Sequence, residues 1–408
     1  IHLGSSFRRL SGPFFMACHE LVDSCSHTAT HGDQLHRRHA WSWQRCHLLC
    51  VASAISVPFA CKMLSLVRDV HLSGRDPGSK FKPITNAAKM EHFLSEHKQN
   101  CSRPELPMAE DENVAHDSEL HVAYAADSGG RHAIGVLSSM LSLSRHLSDP
   151  GRCNIHFIVP KAGMPWAQSM VECFHRELTA LAAIPRVLLY EMQPIPLNIS
   201  QLEATHGQPG ENFSRLYASL EGEAFARLYL QRYLPADVSR VLWLDSDTII
   251  RSDVGPLYRM RMAHTVAAVP DGRLWSLLSI RKGRLARYIR SMDSPRLTSG
   301  VLLIDLERWR AEDAARAVEG WTRRTGGAQG EQAALALHFQ GRFDILDWRW
   351  NVFHLGFWPE PLEQDCIESG RILHWSGSHK PWQGDAHGVN DVLYEFPKEG
   401  CAAIGWSP

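Results

Sequence analysis

The sequence predicts an α/β fold, a largely parallel sheet with helices on both faces, and three observations carry that expectation. From His121 onward, apolar runs of strand length alternate with runs of helical spacing. Apolar residues make up 44% and charged residues 21% of the 408, a balance that lets most of the chain bury a core. Strand-like runs also end in chemically consequential residues, Asp127, Asp245 and His374, and ligands bind beyond the carboxyl ends of strands in such sheets.

The elements follow in order. His121 to Ala126 reads as a first strand, short and apolar, ending at Asp127. Val136, Leu137, Met140, Leu141 and Leu143 give Ile134 to Leu147 a helical stripe. Cys153 to Val159 is the next strand, Met170 to Leu181 a helix and Arg186 to Tyr190 a strand. Phe225 to Leu234 reads as a helix stopped by Pro235. Arg240 to Leu244 is a strand, and Thr265 to Val269 and Gly300 to Leu306 are further strands.

Length and charge bound the rest. At roughly 150 residues per domain, this length predicts two or three units. Lys plus Arg is 43 and Asp plus Glu is 44, so the net charge is −1. That argues against binding nucleic acid or acidic membrane through bulk charge. Ten cysteines are too few for a disulfide scaffold.

Composition divides the chain near residue 118. Eleven of the 23 histidines and six of the ten cysteines precede that point. Residues 1–118 are read as an N-terminal extension and 119–400 as the domain that carries the motifs below. Pro104 to Ser118, with Glu105, Glu110, Asp111, Glu112 and Asp117, reads as a solvated linker. The apolar run from Cys46 to Ala60, behind Arg37, Arg38 and Arg45, has two readings. One is a signal-anchor near 46–67; the other is a buried stretch, since the run is short of the ~20 residues a bilayer needs. Cys46 and Cys50 lack a second pair at zinc-finger spacing and read as unrelated cysteines. Sequons at Asn100, Asn198 and Asn212 are compatible with a secretory route. The chain begins with Ile1 and its first Met is Met16, so further residues are expected ahead of it.

Ala125-Ala126-Asp127-Ser128-Gly129-Gly130 lacks G-x-G-x-x-G, which disfavours a dinucleotide dehydrogenase. Asp127 itself suits either a hydrogen bond to a base or ribose or a turn cap. The strongest local signal is Val241-Leu242-Trp243-Leu244-Asp245-Ser246-Asp247. An apolar strand there delivers carboxylates at i and i+2, which share a face. A hard divalent cation between them relieves their repulsion. His374 follows another apolar run and can be a third ligand or a buried strand histidine. Behind it, Gly377 permits close backbone approach and Lys380 offers a point charge suited to phosphate.

Together, in this order, these motifs resemble glycosyltransferase family 8, the retaining nucleotide-sugar transferases of GT-A fold, over about residues 119 to 385. Arg349-Trp350-Asn351, Leu373-His374-Trp375-Ser376-Gly377 and Lys380-Pro381-Trp382 look most like its plant galacturonosyltransferase and galacturonosyltransferase-like branch. The resemblance implies that Asp245, Asp247 and His374 bind Mn²⁺, with Mg²⁺ as the alternative. It implies that Gly377 and Lys380 hold the diphosphate of a UDP-sugar, and that Ala125 and Asp127 meet the uracil. Arg227, Ser246 and Thr298 would contact the donor, Asp271 would approach the sugars, and Gln332 would lie near the anomeric carbon. A glycan or other hydroxyl acceptor and a Golgi or other secretory compartment are implied too. The chain departs from the family at Thr298, where Asn is usual, and at Glu331-Gln332-Ala333, where Asp-Gln-Asp is common. Gly130 stands where an aromatic often stacks on the base. A catalytically silent nucleotide-sugar-binding homologue and a metal-dependent nucleotidyltransferase are the alternative functions.

Overall fold

A computed structural model describes residues 101, 105–112, 114, 118–127, 132–194, 223–273, 288–290, 294–325, 330–357, 362–377, 379–383, 393–394 and 401. The chain divides after Pro83, and everything below belongs to the unit from Ile84 onward. The 46–67 segment, the Cys46/Cys50 pair, Asn100, Asn198, Asn212 and the Ser128–Gly130 loop lie outside the described residues.

Seven strands form the main sheet. They are β1 (Leu120–Ala125), β2 (Cys153–Val159), β3 (Arg186–Glu191), β4 (Arg240–Leu244), β6 (Val266–Arg273), β7 (Pro295–Asp305) and β8 (Asp344–Ile345), in the order β3-β2-β1-β4-β7-β6-β8. The β3-β2-β1-β4 half is parallel throughout, as expected. β7 runs antiparallel to both β4 and β6, and β6 pairs parallel with β8. β7 begins five residues before the expected strand, at Pro295 rather than Gly300. The register of β6 on β7 shifts around Pro270, which has no N–H to give the ladder.

Period-2 alternation explains why the sheet is covered on both faces. Leu242 and Leu244 of β4 join one apolar cluster with Val122, Tyr124 and Leu303. Val241 and Trp243 join the other, with Ala123, Leu302 and Ile304. Helices α1 (Ala133–His146) and α2 (Met164–Glu177) supply the first cluster; α3 (Glu223–Ala226), α5 (Leu306–Ala311), α6 (Ala314–Thr325) and α7 (Gly330–His338) supply the second. The remaining helices are α4 (Gly255–Tyr258) and α8 (Gln364–Ser369). The run expected to be one helix from Phe225 is α3 followed by a tighter 3₁₀ turn over Arg227–Arg232. Among the described residues no helix is long and apolar enough to cross a membrane.

A second, two-stranded sheet matters most for the site. β5 (Thr248–Ile250) pairs antiparallel with β9 (Ile372–His374), placing Thr248 opposite His374. α1 holds the other edge of β5 with serines that the helical stripe did not single out. Ser142 accepts from the Ile250 amide at 3.0 Å, and Ser139 bonds Thr248 at 2.8 Å. Gly135 lets the helix approach this closely: a Cβ there would stand 2.6 Å from the Ser246 carbonyl.

Residues 105–112, within the expected linker, are mostly exposed yet tethered to the domain. Asp111 pairs with Arg240 at 3.0 Å, and the Leu106 amide donates to Asp347 at 2.8 Å. The Arg261 amide donates to Ala109 O at 2.7 Å, and Glu105 pairs with Arg371. A disulfide joins Cys101 to Cys366 of α8. Glu105 and Asp111 find partners more than a hundred residues away, which no local window registers.

Candidate active site

Two strand ends build the centre of the site. Leu244 ends β4, Asp245 starts the turn, and Asp247 directly precedes β5. Because Thr248 lies opposite His374, and the Trp375 amide donates to Asp247 O at 2.9 Å, β9 delivers the imidazole to the carboxylates. His374 Nε2 lies 3.1 Å from Asp247 Oδ1 and 3.9 Å from Asp245 Oδ2. One ligand atom from each of Asp245, Asp247 and His374 falls within 4.8 Å of the others. Gly300 of β7 is essential here, because a Cβ would collide with the His374 ring and stand 3.1 Å from Asp245 Oδ2.

The imidazole is oriented by a chain of defined polarity. Thr298 donates its hydroxyl to Val269 O at 2.7 Å, and a carbonyl can only accept. Thr298 Oγ1 therefore accepts from Asn351 Nδ2, at 3.0 Å. Asn351 Oδ1 is left to face His374 Nδ1, at 3.0 Å, so Nδ1 carries a proton and donates. The other ring nitrogen faces the carboxylates, which is how a metal-binding histidine is usually set. Two carboxylates and an imidazole suit a divalent ion of the Mn²⁺ or Mg²⁺ kind, so the residues fit such a group.

Positive charge surrounds the acids. Lys380 pairs with Asp247 and donates to Trp375 O at 2.7 Å. Burial alone would raise the Asp247 pKa, but the Lys380 and His374 charges outweigh it and hold the carboxyl well below its usual range. Arg227 reaches Asp245 at 2.9 Å and Glu331 at 3.5 Å, and also donates to Ser299 O. Its guanidinium lies 4.9 Å over Trp243, whose Nε1 donates to Asp245 Oδ1 at 2.8 Å. Glu331 is pushed up by burial, despite the Arg227 charge.

The other expected residues take definite places. Ala125 closes β1, and Asp127, two residues on, is buried at the end of that strand. Ser246 lies in the turn between the two acids, against α1. Gln332 accepts from the Ser299 amide at 3.2 Å and from its hydroxyl at 3.1 Å. Gly377, with φ of 123°, packs against Gly356 so closely that neither position admits a Cβ. Asp271 is ion-paired with Arg296, and Thr298 has its hydroxyl engaged by Val269 and Asn351. The sequence reading did not single out Asn351, Ser299 or Glu331 as site residues, nor a His132–Glu223 pair at 3.1 Å. Asn351 had a signal in the Arg349-Trp350-Asn351 triplet, and Glu331 in the Glu331-Gln332-Ala333 run.

Comparison with known proteins bears on family and fold. "Probable galacturonosyltransferase-like 4" of Arabidopsis thaliana is 25% identical over 286 residues, covering 65% of this chain and 73% of the relative. "Probable galacturonosyltransferase-like 2" of the same plant is 27% identical over 305 residues, covering 68% and 80%. Among solved structures, the galactosyltransferase LgtC in complex with donor and acceptor sugar analogs superposes with a TM-score of 0.50 at 19% identity. That likeness covers 71% of this chain and 98% of the other, and it shows the fold to be GT-A-like. The signature of glycosyl transferase family 8 matches residues 131–386, more than half the chain, and the chain therefore belongs to that family.

Proposed function

We propose that the chain is a retaining, Mn²⁺-dependent glycosyltransferase. Its donor is a UDP-sugar, and it passes a hexosyl unit to a hydroxyl of a glycan or similar acceptor. The observation that carries this reading is the convergence of Asp245, Asp247 and His374 at two strand ends, with Lys380 beside them. An ion held by those three residues would supply Lewis acidity to the departing diphosphate. Lys380 adds a compact positive charge where the diphosphate gains negative charge. Arg227 keeps Asp245 in place through one hydrogen-bonded pair. Gln332, the residue expected nearest the anomeric carbon, is a poor nucleophile and is bonded to Ser299. Its chemistry favours front-face substitution over a covalent glycosyl-enzyme.

A galacturonosyl donor is supported by the names of the Arabidopsis relatives. Two disulfides, Cys101–Cys366 and Cys173–Cys401, support an oxidising secretory compartment such as the Golgi lumen. A silent nucleotide-sugar-binding homologue is the second reading. It is favoured by the engagement of the Thr298 hydroxyl with Val269 and Asn351. UDP release from a panel of UDP-sugars, with Mn²⁺ and an oligosaccharide acceptor, separates the two. Turnover of at least one sugar is expected; binding of UDP without turnover of any would establish the silent reading.

A further inference from the structure

A second acid–base pair stands beside the carboxylate cluster. His132 directly precedes α1 and Glu223 opens α3, and their side chains meet, Nδ1 to Oε1, at 3.1 Å. Glu223 is only 8% exposed, and its second oxygen, Oε2, is buried with no hydrogen-bond partner among the described residues. Leaving a buried acceptor unmet costs about 1–3 kcal/mol, more for a charged one, so folded proteins rarely do it without a ligand or water to complete the bond.

The surroundings restrict what can complete it. Beyond His132, the charges acting on Glu223 are Asp127, at the end of β1, and Asp245, at the end of β4. Burial raises the Glu223 pKa, and both neighbouring acids push it the same way, against the His132 hydrogen bond. His132 moves in the complementary direction: burial would lower its pKa, but the hydrogen bond and charge of Glu223 raise it overall. A third anion is unwelcome there, and a neutral hydroxyl donor fits.

The position names the hydroxyl. The family resemblance implies the base of the donor near Ala125 and Asp127, and the proposed function puts the diphosphate near Asp245, Asp247 and His374. The part of a nucleotide between base and diphosphate is the ribose. We infer that Glu223 is a donor-binding residue whose Oε2 accepts a hydrogen bond from a ribose hydroxyl of the nucleotide, with His132 as the positioning residue that fixes the carboxylate through Oε1.

The inference rests on the UDP-sugar reading, and calorimetry on the full chain with Mn²⁺ separates their failures. The titrants are UDP, 2′-deoxy-UDP and 3′-deoxy-UDP, against wild type and Glu223→Gln. Wild type should bind UDP about tenfold or more tighter than at least one deoxy analogue, the size of a hydrogen bond to a charged group. Glu223→Gln should lose that preference while binding the same deoxy analogue as wild type does. Glu223→Asp, one methylene shorter, is the second variant should the amide fail to fold, and its preference should narrow. Equal binding of all three ligands by wild type, or a full preference kept by either variant, overturns the role of Glu223. Failure of wild type to bind UDP at all overturns the donor reading, and this inference with it.

Discussion

Two clusters of ionisable side chains in the same fold have opposite characters. Across β1, β2 and β3, His121 bonds His156 at 2.9 Å, and His156 bonds the Tyr190 hydroxyl at 3.0 Å. The rings stack in sequence, with centroids 5.2 and 5.7 Å apart. Each member finds its partner inside the cluster, and burial keeps the histidines neutral, with His156 pushed down to about 3. At the ends of β4 and β9, Asp245, Asp247 and His374 gather instead with Glu331, Arg227 and Lys380, charged groups whose acids crowd one another. The difference teaches that burial of polar groups does not mark a site. A concentration of like charge that the chain itself only partly offsets does, because such an arrangement persists where a ligand completes it.

The largest effect should come from removing one charge from the crowded cluster. Asp247→Asn should lower kcat by about a hundredfold or more, as loss of a group that stabilises developing charge does. Circular dichroism should remain that of wild type. Turnover near the wild-type rate at saturating Mn²⁺ would show that the crowding at Asp247 serves no chemistry.

Lys380 sharpens the comparison, because it is paired within the cluster yet is expected to serve the diphosphate. Lys380→Ala should lower kcat by about tenfold, equivalent to ~1.4 kcal/mol of transition-state stabilisation. The thermal midpoint should move little by comparison. An unchanged kcat together with unchanged UDP affinity would make it a structural counter-ion to Asp247 alone.

The smallest effect belongs to the self-satisfied cluster and concerns stability. Between pH ~6.5 and 3 the unfolded chain protonates at His156 while the native state does not. The unfolded state then binds more protons, so stability falls as pH drops through this window. At pH 5 the loss from His156 is about 2 kcal/mol. His156→Gln should flatten the decline of thermal midpoint with pH and leave kcat at neutral pH unchanged. A pH slope identical to wild type would show that His156 is not held neutral.

Much of this contrast was legible beforehand, and what was missed has a common cause. Asp245, Asp247 and His374 are visible because each follows an apolar strand, and strand periodicity is a local property. That Thr248 lies opposite His374 is a register between segments more than a hundred residues apart, which only the motif order suggested. Asn351, Glu223 and His132 sit in no periodic pattern, and their roles arise from tertiary contact alone. The Glu105–Glu112 stretch is mostly exposed, as its acidity suggests, but it is tethered as well. Arg240 and Arg371 pair with its Asp111 and Glu105, and Asp347 accepts from the Leu106 amide, contacts from distant elements that no local pattern registers.

The central claim is that the Asp245–Asp247–His374 cluster holds a divalent ion for the diphosphate. Electron paramagnetic resonance of Mn²⁺ titrated into the purified full chain tests it most directly. A single class of bound ion is expected in wild type, with a spectrum that changes when UDP is added, and Asp247→Asn should bind it far more weakly. Undiminished Mn²⁺ binding by Asp247→Asn, or a wild-type spectrum that ignores UDP, would contradict the account.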